Sequence, residues 1–220
     1  MKKSIVLAII GLATGVASSY GAGAIFLDNY SSFDYNGGAL VTYGPDGLGP
    51  VGTGLLNGWT AGLYYALGDV TGSVAADPTG EANPVTLYGG FVLGTGPGST
   101  AAFDAFPFST PGEFTTGSFF MVPGTASAGG DLITLMVVAY DGPNYLTSIA
   151  RGHSAAFTMT TTANSSPVPR SVGDYMPGFS VPVPEPATLA LGALGGLSLL
   201  LMRRLKFPRL YCHRRFLDFV

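Results

Sequence analysis

Between residues 24 and 181 the apolar positions come in short runs, interrupted by glycine, proline, asparagine and aspartate. Nine runs read as strands: residues 24–27, 39–43, 60–67, 85–93, 101–106, 113–122, 132–140, 145–149 and 154–162. They are rich in Val, Ile, Thr, Phe and Tyr, which suit a pleated, half-buried surface, and turn sequences such as Pro45-Asp46-Gly47 and Asp141-Gly142 bound them. A last short strand is expected at Phe179-Ser180-Val181. In residues 155–162, Phe157 and Met159 share one parity and Thr158 and Thr160 the other, the alternation of a strand with one wet face. Residues 132–138 are apolar on both parities, which predicts a strand covered on both sides or set at the heart of a sandwich. In the run 60–67, Leu63, Tyr65 and Leu67 share the parity expected to face the core, leaving Tyr64 outward. No window of useful length has helical periodicity. The pattern predicts an all-β fold, a β-sandwich of jelly-roll type.

Two segments outside this pattern are apolar for a different reason. Met1-Lys2-Lys3 followed by residues 4–16 is a cationic start and an apolar stretch, and small residues follow from 17 to 24. This is the build of a secretory signal peptide, residues 1–24, with cleavage expected after Ser19, Gly21 or Ala24. At the other end, Val183-Pro184-Glu185-Pro186 precedes an uncharged run over residues 187–202 and the basic stop Arg203-Arg204-Leu205-Lys206. As a helix that run would span about 24 Å, somewhat short of the ~30 Å hydrocarbon core, a gap that snorkelling arginines and local thinning can close. Arg203, Arg204 and Lys206 would stay cytoplasmic, which puts everything before Pro186 outside. Pro184 and Pro186 lack backbone donors and hold their predecessors extended, so the tetrapeptide is expected as an open strand that a processing enzyme can grip. Between the two signals lies one passenger domain, residues 25–181.

The order Pro-Glu-Pro motif, apolar helix, arginine cluster (residues 182–206) resembles the PEP-CTERM sorting signal of Gram-negative bacteria. The resemblance implies that Pro184, Glu185 and Pro186, with Val183 before them, are recognised by the membrane protease called exosortase. It also implies an inner-membrane intermediate, final delivery to the cell surface or extracellular matrix, and an exopolysaccharide-rich setting. It covers about 24 of the 220 residues and assigns no activity to the passenger. The bland alternative is a single-pass anchor with a proline-rich stalk. Gly192 and Gly196 form a GxxxG spacing that reads as the composition of such helices. The chain departs from the family by continuing through a basic tail, residues 207–220, which holds Arg209, Arg214, Arg215 and the only cysteine, Cys212.

Charge sharpens this division. The whole chain carries a formal −3, but residues 25–180 hold eleven acidic side chains against Arg151 and Arg170 alone. Six of the ten lysines and arginines lie beyond Met202. Such a passenger has no electrostatic footprint for nucleic acid. It also has no cysteine, hence no disulfide.

The chemistry-bearing inventory is short. His153 is the passenger's one histidine; Gly152-His153-Ser154 lacks the second glycine of a nucleophile elbow, and adjacent strand residues point to opposite faces, so His153 reads as an exposed turn residue. Glu81 and Glu113 are the passenger's only glutamates and would have to meet for a glycosidase, the remote alternative. Asp28-Asn29 and Asp34-Tyr35-Asn36 offer oxygen ligands but not the ordered spacing of a calcium loop, and read as solvated loop groups. No catalytic residue, cofactor or metal is expected. Trp59 and Tyr64 are the candidate glycan contacts if the domain is a carbohydrate-binding module. The leading expectation is an exported, non-catalytic surface or matrix protein.

Overall fold

The computed structural model describes residues 22–29, 39–45, 49–103 and 110–182. The leader up to residue 21, the motif Val183 to Pro186, the apolar run, the basic stop (Arg203, Arg204, Lys206) and the tail lie outside the described residues.

The described chain is almost wholly β. Its axis is the antiparallel pair β3 (Thr60–Leu67) and β8 (Leu132–Tyr140), in register along the whole of β3 from Thr60↔Tyr140 to Leu67↔Ile133. On the outer side of β3 lie β4 (Val92–Leu93) and β5 (Thr100–Phe103), and β6 (Phe114–Thr115) follows β5. On the outer side of β8, β10 (Phe157–Thr160) pairs with its first half and β9 (Arg151–His153) with its last. Two further pairs complete the fold: β1 (Gly23–Ile25) antiparallel to β7 (Phe120–Val122), and β11 (Phe179–Val181) parallel to β2 (Val41–Tyr43).

The period of two explains the layering. From β3, Ala61, Leu63 and Tyr65 enter the main core; from β8, Ile133, Leu135, Val137 and Ala139 join them. There they meet Ile25, Val41, Phe103, Phe114, Phe120, Val122 and Val181 from the remaining strands. The other parity, Tyr64, Ala66, Met136, Val138 and Tyr140, forms a second buried cluster with Phe91 and Tyr145, edged by Val70, Val74, Leu87 and Tyr88. The double-sided apolar pattern of residues 132–138 is thus a strand covered on both faces.

Five expectations need correcting. Residues 85–93 are not one strand: Asn83 accepts the Val85 N–H at 3.1 Å and Pro84 opens a single helical turn, α1 (Pro84–Leu87), leaving only β4 extended. A cap and a proline at the first helical position outweigh the β-propensity of Val85 and Thr86. Residues 145–149 form a turn, because the Asn144 side chain accepts the Thr147 N–H at 3.0 Å and its carbonyl accepts the Ser148 N–H at 3.1 Å. Leu67 does not reach the core; as the last residue of β3 it is 53% exposed. The run 113–122 is split into β6 and β7. Finally, β1 covers Gly23–Ile25, where a strand over 24–27 was expected.

Candidate functional site

The cover over the second face of the sheet is built from irregular chain, residues 69–91, and this is where the domain's charged chemistry gathers. Two Asp-x-Thr-Gly segments shape it. At Asp69 and again at Asp77 the carboxylate Oδ1 accepts both the N–H and the hydroxyl of the threonine two residues on. Such turns satisfy backbone donors that a loop cannot place in a ladder. Asp69 stops there and is solvated; Asp77 goes further. Its Oδ2 accepts the Ala82 N–H at 2.8 Å and His153 Nε2 at 3.0 Å, so both oxygens are doubly engaged. Burial pulls the Asp77 carboxyl upward, but the donors from Thr79, Ala82 and His153 together outweigh it and hold it well below the usual carboxylate range.

His153 is buried at 7% exposure on β9, contrary to the exposed turn expected. Its N–H donates to Gly80 O at 2.8 Å, and its Nδ1 lies 2.8 Å from the Ser154 carbonyl oxygen. Each ring nitrogen therefore faces an oxygen, a carbonyl on one side and a carboxylate on the other. Turning the Ser154 carbonyl to the imidazole takes it out of the β8 ladder, and the Ser154 hydroxyl stands in, accepting the Val137 N–H at 3.0 Å. His153 and Ser154 therefore form no nucleophile–base pair: the imidazole is held by the Asp77 carboxylate and the Ser154 carbonyl, and the Ser154 hydroxyl by the Val137 N–H.

The cap is pinned twice more. Tyr145, edge-on to Tyr64 and Tyr140, donates its hydroxyl to Ala82 O at 3.1 Å, and the Arg151 guanidinium lies 5.6 Å from the Tyr145 ring centre. The Thr134 hydroxyl, in the middle of β8, accepts the Val70 N–H and donates to Gly68 O. Between cap and sheet remains a cleft of about 300 Å³ with Met136 and His153 in its lining and Val74, Leu87 and Ala156 around them. Its polar side chains, Thr71, Asp77 and His153, are each already hydrogen-bonded.

The other candidates are placed as follows. Trp59 is buried in the main core, edge-on to Tyr43 at 5.9 Å, and Tyr64 is buried under the cap on the opposite face of the sheet. The structure does not bring the two rings together and exposes neither as a stacking surface. Glu81 belongs to the cap; Glu113 closes its own turn by accepting the Thr110 N–H at 2.7 Å. Asp28 and Asn29 are buried rather than solvated. The Asn29 side chain ties the segments leading into β2 and β6, donating to Ala39 O and Gly112 O and accepting the Phe114 N–H at 2.6 Å. The Asp28 carboxyl is pushed up to about 6 by burial, opposed by the Ser171 hydroxyl that donates to it and reinforced by the charge of Asp174. Asp34 and Asn36 lie outside the described residues. Among the described residues no three His, Cys, Asp or Glu side chains gather as a metal site, and no helix is long and apolar enough to cross a membrane.

The Asp77–His153 contact escaped the sequence reading because its partners are 76 positions apart. The repeated Asp-x-Thr-Gly was the available signal, since it marks where the chain folds tightly on its own carboxylates.

Comparison with protein-family models, curated proteins and solved structures gives no match to the chain.

Proposed function

We propose that the chain is an exported, non-catalytic surface or matrix protein, a jelly-roll-type β-sandwich delivered to the envelope of a Gram-negative bacterium by exosortase-type sorting. The observation that carries this is the order of parts after the last strand: Pro184-Glu185-Pro186, an uncharged run over residues 187–202, then Arg203, Arg204 and Lys206. The character of the folded part is consistent with it. An acidic, cysteine-free domain whose one imidazole and its carboxylate partner are both committed to holding a loop supports a structural role. The closing of the main-core face by residues of β1, β2, β7 and β11 supports the sandwich. Processing is tested at Glu185. Replacing it with alanine should leave the membrane-held precursor accumulating, whereas identical C-terminal peptides from wild type and variant by mass spectrometry would reduce residues 182–206 to a plain anchor.

A further inference from the structure

The described residues include five asparagines, and their surroundings differ in a way that matters for one reaction. The backbone nitrogen that follows an asparagine can close on the side-chain amide to give a five-membered succinimide. Closure needs an N–H on the next residue, little bulk there, and a side chain free to turn back. Asn29 is fully buried, and its amide donates to Ala39 O and Gly112 O. Asn83 precedes Pro84, which has no N–H to react. The Asn144 side chain accepts the Thr147 N–H and precedes the buried Tyr145. Asn164 is exposed but precedes Ser165, whose Cβ crowds the ring.

Asn57 differs on every count. It is exposed at the tip of a turn and is followed by Gly58, which is exposed too. Gly58 has a φ of 103°, in the left-handed region, and a Cβ added there would meet nothing within 4 Å. Its N–H, the attacking group, donates to no backbone carbonyl among the described residues. The turn is held at its ends and not at its tip. The Leu55 N–H donates to Val41 O at 3.0 Å, the Leu55 carbonyl accepts the Gly112 N–H at 2.8 Å, and Trp59 is buried in the main core.

We propose that Asn57–Gly58 is a self-modifying site, which deamidates through a succinimide while the domain stays folded. The Gly58 nitrogen gives its proton to base and bonds to Asn57 Cγ; the side-chain nitrogen leaves as ammonia, taking a proton from water. Water then opens the ring at one carbonyl or the other, leaving aspartate or isoaspartate at position 57. Either product adds a carboxylate to an acidic domain, and isoaspartate also lengthens the backbone by one carbon between Leu55 and Trp59. The test is to hold the purified, folded chain in warm, mildly alkaline buffer and follow its chymotryptic peptides, among which the two products separate. The peptide carrying Asn57 should gain the mass difference between a hydroxyl and an amino group, with isoaspartate in excess. It should do so at least about tenfold faster than the peptides carrying Asn29, Asn83, Asn144 or Asn164. An Asn57 that stays intact, or another of the five converting as fast, would overturn the proposal. Aspartate without isoaspartate would overturn the ring route. Asn57→Gln, at an exposed position, should fold as before and lose the acidic product, because its ring would need six members; an unchanged yield would place the reaction elsewhere and overturn the assignment.

Discussion

The two faces of the β3–β8 pair use the same strands and are covered in opposite ways. The main-core face, from Leu63 and Leu135 to Phe103 and Phe120, is closed by other strands whose backbone groups are already paired in ladders. The cap face, from Tyr64 to Met136, is closed by residues 69–91, which have almost no ladder to join. A loop over an apolar face still carries N–H and C=O groups that must be satisfied. Asp77, Thr134, His153 and Tyr145 meet that need with side chains. The buried ionisable groups on this face thus hold the loop that covers it.

That contrast can be tested by removing a piece from each side. Phe103→Ala, in a fully buried position against Phe114, should cost about 3–5 kcal/mol in urea unfolding. A loss below about 1 kcal/mol would mean that the main core is not the tighter layer. The next largest effect is pH-dependent. Asp28 holds its proton more tightly when folded, about 6 against a model value of 3.8, so its contribution is full below the unfolded value and fades as pH rises through 6. The amount is about 3 kcal/mol, and Asp28→Asn should remove that slope. Asp77 has the opposite sign: its contribution is present above 3.8 and is lost only as pH falls through its depressed folded value. Asp77→Ala should cost about 2 kcal/mol and speed amide exchange at Thr79 and Ala82. Exchange at Leu63 and Val137 should stay slow; if all four accelerate together, the two faces are one cooperative unit. The smallest change, Tyr145→Phe, removes one hydroxyl bond to the cap and should cost about 1 kcal/mol without altering the melting of the main core.

What could be read from the sequence was what the strand period controls. The bounds of β3 and β8, the parity that sends Leu63 and Tyr65 one way and Tyr64 the other, and the double cover of residues 132–138 follow from side chains alternating on a pleat. The short strand β11 was also legible. Residues 85–93 and 145–149 misled because β-branched and aromatic residues there serve a capped turn and an aromatic plug. For those, the local side-chain bonds of Asn83 and Asn144 decide, and propensity sums do not register them. Tyr64 was placed on the right face but judged open, since nothing in the run 60–67 reveals that residues 69–91 fold back over it. His153 looked like a turn residue for the same reason: its partner Asp77 comes from that returning loop.

The closure of Ser171 onto Asp28 joins positions 143 residues apart, and β11 lies beside β2 over a similar span. β2 therefore has its partner strand at the end of the domain, and β1, beside β7, is also bridged to Thr162. Such an arrangement gives little reward to a half-made chain, because loop-closure entropy must be met before the contacts form. During synthesis, β2 stays without its partner strand until residues 179–181 emerge. A chain ordered this way resists premature folding by its connectivity alone, and completes its fold only when Phe179 to Val181 are free to pair.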